Sequence, residues 1–132
     1  MSVENNKLIE LLQEVSDWGY TTTIILHGGS VFEFKGPFPK GELGQGFYNL
    51  KSEWGFEGHI NLAQIRHLQF QDKAHRGRQS YALVFNDVQG NCIFKIFIGR
   101  DQQGVLYEHQ VSAFLALKDR YSKTTLQAIS TD

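Results

Sequence analysis

The feature that most constrains the fold is a run of short β-forming segments that follow one another from residue 20 to residue 98. Each segment is rich in β-branched or aromatic residues, and glycine, asparagine, aspartate or proline stands between neighbours. Consecutive strands without helices between them pair mainly in an antiparallel way. The expected strands are TTTIIL, SVFEFK and residues 47–51, 56–60, 65–71, 81–85 and 92–98.

The connections between these strands carry their own signals. Gly28 and Gly29 supply the backbone freedom of a tight turn, so the first two segments are predicted to form a hairpin. Pro37, Pro39 and three glycines interrupt regular structure, and residues 36–45 are therefore expected to form a surface loop. Residues 61–64 suit one helical turn, and residues 86–91 suit a hairpin connection.

A helical pattern stands at each end of the run of strands. Near the N-terminus apolar residues recur at helical spacing before Gly19, namely Leu8, Leu11, Leu12 and Val15. Residues 107–121 repeat this spacing, and the sequence then turns polar, where the chain is expected to fray. The predicted fold class is α+β: a central, mainly antiparallel sheet with an N-terminal and a C-terminal helix packed on it. The 132 residues are expected to form a single domain, residues 1–132.

Charge and composition exclude several classes of partner. The 13 basic and 14 acidic residues are spread along the chain and give a net charge of -1, so no basic surface for nucleic acid is indicated. No apolar run is long enough to span a bilayer, and the N-terminus lacks the pattern of a secretory signal. A single cysteine, Cys92, fits a reducing compartment. The expected location is the cytoplasm.

Strong catalytic and metal-binding motifs are absent from the sequence, including the P-loop, paired-cysteine zinc spacing, H-E-x-x-H and the nucleophile elbow. Five histidines remain, and haem iron needs only one or two axial side chains, so a haem site leaves a sparse trace. His59 follows Gly58, where a flat ligand can approach the backbone closely. His27 and His109 are expected at the surface, and His67 is expected to be a buried, hydrogen-bonded residue or a ligand.

Five ordered motifs between Trp18 and Tyr121 resemble the HutX/ChuX-type haem-utilisation proteins, cytosolic haem carriers whose fold is similar to one half of the larger HemS/ChuS-type proteins. The motifs are Phe32-Glu33-Phe34-x-Gly36, Gly46-Phe47-Tyr48-Asn49-Leu50, Gly58-His59-Ile60, Phe94-Lys95-Ile96-Phe97-Ile98-Gly99-Arg100-Asp101 and Gln110-Val111-Ser112-Ala113-Phe114. The resemblance implies an α+β fold, a homodimer and haem (heme b) held in a pocket against the sheet.

The resemblance also implies site residues. His59 matches a family histidine that follows the same glycine, which makes it the first choice for an axial ligand of the iron. Phe47 and Tyr48 match an aromatic pair that often includes tyrosine, and tyrosinate can ligate ferric iron. Here phenylalanine stands first, and neighbouring strand residues face opposite ways, so Tyr48 need not take that role. Arg78 matches a family arginine suited to a haem propionate.

Two further departures bear on the site. Some family members have a histidine where this chain has Leu26, and His27, one position later, is expected on the other face of the strand. Arg100 matches the family, and its position between strand and helix favours a structural ion pair over a contact with haem. The chain also begins without the helical segment that many members carry before the first matching helix, so the surface under that segment is expected to be open.

Three functions follow as hypotheses. The leading one is an intracellular haem carrier or buffer, with an aromatic pocket, one axial ligand and basic loops that meet the propionates. The second is a haem-degrading or iron-releasing enzyme, although the sequence supplies no obvious general acid, base or reductant site. The third is a related scaffold that has lost haem binding. Haemin titration, and the fate of bound haem under reductant and oxygen, distinguish the three.

Overall fold

The computed structural model describes the backbone of residues 2–123 and the side chains of residues 5–74 and 76–121. The strands are β1 Tyr20–His27, β2 Ser30–Pro37, β3 Gly41–Gly44, β4 Phe47–Leu50, β5 Gly58–Ile60, β6 His67–His75, β7 Arg78–Asn86 and β8 Cys92–Ile98. The helices are α1 Ser2–Ser16 and α2 Glu108–Lys123, with a short 3-10 helix at Leu62–Gln64. The α+β prediction is confirmed. The polar tail predicted to fray falls mostly on residues 124–132, which lie outside the described residues.

The strands form two antiparallel sheets, where the sequence indicated one. The larger sheet has five strands in the order β2-β1-β8-β7-β6, and the smaller has three in the order β3-β4-β5. The β1–β2 hairpin predicted at Gly28-Gly29 is present, with His27 opposite Ser30. The predicted connection between β7 and β8 is present too, and Asp87 and Asn91 pair across it through their backbones.

The prediction of a loop over residues 36–45 is wrong in part. Gly41–Gly44 forms β3, which pairs with β4 along its whole length, while Pro37 ends β2. The turn between β3 and β4 is Gln45-Gly46, where both residues have positive φ. Such a two-residue turn matches the twist of a hairpin, so pairing with β4 stabilises a strand whose own composition favours a loop.

The core lies between the helices and one face of the five-stranded sheet, and it continues under the three-stranded sheet. The apolar face predicted for α1 is buried: Leu8, Leu11, Leu12 and Val15 are each at most 1% exposed. From α2, Phe114 packs against Phe70 and Tyr81 of the sheet. On the other side of the core, Phe38 and Phe56 meet Phe94 and Phe34. This aromatic packing fixes how the small sheet covers one end of the large one.

Candidate functional site

A cavity of about 820 Å³ opens between the two sheets. The five-stranded sheet contributes Ile25 of β1 and Phe94 of β8 to its wall. The opposite wall comes from the small sheet and the segments beside it, with Phe38, Leu50 and Phe56. Cavities that bind small molecules and cofactors have this range of volume and mainly apolar walls. The cavity is therefore suited to a flat apolar ligand.

Few ionisable side chains line this cavity. His27, Glu57, His59 and Asp87 all line it, and none of the residues described along its wall is lysine or arginine. The Asp87 carboxylate is already used, since its Oδ1 accepts the N–H groups of Gln89 and Asn91 at 2.9 Å. The imidazoles are consequently the side chains best suited to bind a metal centre carried by a ligand here.

His59 lies in the middle of β5, at the edge of the three-stranded sheet, and lines two concavities. One is the cavity between the sheets, and the other is a shallow pocket of about 450 Å³ that Phe47 and Asn49 also line. Its Nδ1 lies 2.7 Å from the Oδ1 of Asn49, the residue opposite it on β4. The ring of Phe47 meets the imidazole edge-on, with 6.2 Å between the centroids. The structure thus brings the predicted residues His59 and Phe47 together.

Tyr48 points the opposite way from Phe47 and is fully buried, with 0% exposure. Its hydroxyl has no hydrogen-bond partner within the described part of the chain. Burial raises the pKa of Tyr48, and the nearby Gly41 backbone offsets this only in part. A tyrosinate is disfavoured in such a place. Ligation by Tyr48 stays a prediction.

Arg78 begins β7 and lies away from the cavity between the sheets. It lines a concavity of about 560 Å³ together with Thr22, which stands five residues before His27 on β1. That separation is about 17 Å along a strand, and the two side chains face opposite sides of the sheet. The structure does not place Arg78 beside His59, so a contact between Arg78 and a propionate stays a prediction.

The Arg78 and Arg100 guanidinium groups meet at one backbone carbonyl. Both donate to the Gly104 oxygen, at 2.6 Å and 3.0 Å, and Arg100 also donates to the Gln79 oxygen. Burial and, to a smaller extent, the charge of Arg78 lower the pKa of Arg100. No salt bridge to Arg100 is found within residues 5–121, so the ion pair predicted for it is replaced by hydrogen bonds that hold the loop before α2.

His27 is the site residue that the sequence reasoning placed elsewhere. It is exposed, as predicted for a turn residue, yet it lines the cavity between the sheets. The signal was present in β1, since Thr23, Ile25 and His27 alternate along one face of the strand. Two histidines from different sheets therefore border the same cavity.

Solved structures support this fold assignment. The heme binding protein ChuX aligns over 89% of this chain and 74% of its own, with 30% identity and a TM-score of 0.82. ChuS from Escherichia coli O157:H7 aligns over 85% of this chain and 33% of its own, with 18% identity and a TM-score of 0.71. The second likeness concerns the fold alone, and it agrees with the expected similarity to part of the larger proteins.

Sequence comparisons point the same way. The intracellular heme transport protein HutX of Vibrio cholerae serotype O1 is 37% identical over 122 residues, which are 92% of this chain. The chain spans 63% of the length of that relative. The model of the haem utilisation ChuX/HutX family matches residues 1–117. The chain belongs to the haem utilisation ChuX/HutX family.

Proposed function

We propose that this protein is an intracellular haem carrier that holds haem in the cavity between its two sheets. The observation that carries the proposal is the cavity of about 820 Å³ with aromatic walls and two bordering histidines, His27 and His59. Burial of the porphyrin against apolar walls supplies most of the binding free energy, and an imidazole supplies an axial ligand. The relatives named for heme transport and heme binding support the same function.

His59 is the proposed axial ligand; its side chain lies beside Phe47 and Asn49 on the outer face of the edge strand β5, where it borders the cavity. His27 is proposed as a second ligand from the opposite sheet. Phe47 contacts the His59 ring and restricts its rotation. Tyr48 lies in the hydrophobic core beneath β4, where burial favours a packing role over ligation. Because the described cavity wall holds no lysine or arginine, the propionates are expected to face solvent, away from Arg78. Haem that is held this way stays accessible to a receiving protein.

The site of action proposed for this carrier is the cytoplasm. The relative that matches most of the chain is named as an intracellular protein. Among the described residues no helix is long and apolar enough to cross a membrane. The Cys92 thiol lies on a strand, half-buried, and burial raises its pKa, which disfavours the reactive thiolate.

The protein is also proposed to form a homodimer through the helix-free face of the five-stranded sheet, defined by Leu26, Val31, Glu33 and Lys35. Within the described residues both helices pack on the other face. Leu26 and Val31 pair across β1 and β2 and are 39% and 57% exposed. Glu33 and Lys35 follow on the same face and carry opposite charges. A twofold contact, which places one patch against its own copy, can bury the apolar pair and join these charges.

Haemin titration tests the carrier proposal. The parent protein is expected to shift the Soret band and to saturate, because the cavity and an imidazole bind together. His59→Ala is expected to change the spectrum and to weaken binding by about tenfold or more, the scale on which partners in a metal site act. His27→Ala is expected to change the spectrum in the same direction. His67→Ala serves as the matched control, since His67 does not line the cavity.

Two results would contradict the proposal. If His59→Ala gave the spectrum and affinity of the parent, the ligand assignment would be wrong. If the parent failed to saturate with haemin, the carrier function would be wrong.

The carrier is further expected to protect bound haem from reductant and oxygen, whereas catalytic loss with a defined tetrapyrrole product would indicate an enzyme.

A further inference from the structure

Asn49 stands directly opposite His59 in the β4–β5 pair, on the face of the small sheet that points away from the core. Its amide has two chemically different ends: the oxygen accepts hydrogen bonds and the NH2 group donates them. Which end faces His59 decides which imidazole nitrogen carries the proton, and therefore which nitrogen has the lone pair that binds a metal.

The β3–β4 hairpin fixes the orientation of this amide. The Nδ2 of Asn49 lies within donor distance of three backbone oxygens, 3.3 Å from Glu42, 3.1 Å from Gly44 and 3.4 Å from Phe47. If the amide were turned over, its oxygen would face three other acceptors with no hydrogen between them, which is repulsive. The NH2 group therefore faces the hairpin, and Oδ1 faces His59.

The hairpin backbone packs closely around the Asn49 amide. The Gly44 backbone lies so close to the Asn49 amide that a Cβ at position 44 would be 3.1 Å from Nδ2. The turn Gln45-Gly46, with positive φ at both residues, curls the Gly44 and Phe47 carbonyls toward the amide. The hairpin thus places three backbone acceptors around the NH2 group of Asn49.

An oxygen 2.7 Å from Nδ1 requires that Nδ1 carry the proton in the neutral imidazole. We propose that Asn49 is a positioning residue for His59: its amide, oriented by the β3–β4 hairpin, holds the imidazole in the Nδ1–H tautomer and presents the Nε2 lone pair to iron. The inference rests on the proposed function only for the identity of the metal centre. A neutral amide also polarises the imidazole less than a carboxylate would, which suits a ligand that must release its cargo.

The test reads the tautomer of His59 in the haem-free protein by long-range 1H–15N correlation at mildly alkaline pH. The parent is expected to show protonated Nδ1 and unprotonated Nε2. Asn49→Ala is expected to move His59 to the Nε2–H tautomer that free histidine favours. Asn49→Asp places an oxygen against the three hairpin carbonyls, which repel it, so the carboxylate is expected to turn away from the hairpin. It still offers an acceptor to His59 and is therefore expected to retain the Nδ1–H tautomer. Asn61→Ala, another asparagine at the cavity, is the control.

A second readout is the rate of haem transfer to an excess of a high-affinity apoprotein. Asn49→Ala is expected to release haem about tenfold or more faster than the parent, and Asn49→Asp no faster. An Nε2–H tautomer in the parent would overturn the proposal without any variant. It would also be overturned if Asn49→Ala kept the Nδ1–H tautomer, because the Oδ1 acceptor would then not set the tautomer of His59. If His59→Ala left the haem spectrum unchanged while the tautomers were as expected, the ligand assignment alone would fail.

Discussion

Gln110 joins three segments through a single buried amide. Its Oε1 accepts from the Gly99 N–H at 2.7 Å, and its Nε2 donates to the carbonyls of Trp18 and Tyr20 at 3.1 Å and 2.7 Å. The side chain is 0% exposed. It therefore ties the first turn of α2 to the end of β8 and the start of β1.

Gln110→Ala is expected to lower the free energy of unfolding by about 2–5 kcal/mol, because the Gly99 N–H and the Tyr20 carbonyl lose their hydrogen bonds to its side chain. Urea denaturation followed by circular dichroism measures this change. Gln102→Ala, in the exposed turn before α2, is expected to change stability by less than about 0.5 kcal/mol. Equal effects of the two substitutions would show that the three hydrogen bonds do not stabilise the fold.

Some residues of the site were predicted from the sequence and others were not. His59 and Phe47 were predicted as site residues and lie together, because residue type and strand alternation decide which way they point. The role of Asn49 was not predicted, since it depends on carbonyls that the β3–β4 hairpin brings to its amide. The position of Arg78 depends on the order of strands in the sheet, which local patterns do not reveal.

At the scale of elements, α1 and α2 are joined by Tyr121, whose hydroxyl donates to the Lys7 carbonyl at 2.7 Å. Burial, reinforced by Glu10, raises the pKa of Tyr121 to about 12. The folded-state pKa lies above the ordinary value of about 10, so this contribution to stability is complete below pH 10. It is lost as the pH rises from about 10 to about 12.

Tyr121→Phe is expected to make the free energy of unfolding less dependent on pH between about 10 and 12, and to lower it modestly at pH 7 by removing the hydrogen bond. Chemical denaturation at several pH values measures both effects. Tyr20→Phe is the control, since Tyr20 is 41% exposed. The interpretation fails if the parent and Tyr121→Phe lose stability in parallel over this range.

The helices and most strands were predictable from the sequence because their apolar spacing is set by local geometry. The boundaries of β8 were predicted without error, and α1 and α2 fall where their apolar residues recur. The strand β3 was missed because glycines and nearby prolines favour a loop, and only pairing with β4 makes it extended. The division into two sheets was missed for a related reason: strand partners lie far apart in sequence.

At the scale of the whole molecule, we propose that residues 1–132 form a single domain. Both helices and both sheets contribute to one hydrophobic cluster, which contains Leu11, Tyr48, Phe94 and Phe114. Unfolding is therefore expected to be one cooperative transition. The buried Trp18 reports on packing near α1, and circular dichroism reports on both sheets. Denaturant midpoints that differ between tryptophan fluorescence and circular dichroism would contradict a single domain.

The dimer proposed for the helix-free face of the five-stranded sheet predicts a difference between two neighbours on β2. Val31 lies on this face and Phe32 on the other, and they are 57% and 52% exposed. Val31→Lys is expected to weaken dimerisation by about tenfold or more, because a twofold contact places both lysines in the same apolar patch. Phe32→Lys introduces the same charge on the opposite face and is expected to leave the dimer intact. Sedimentation equilibrium of the parent and both variants measures the association constants; a monomeric parent, or equal weakening by both substitutions, would rule out this face as the interface.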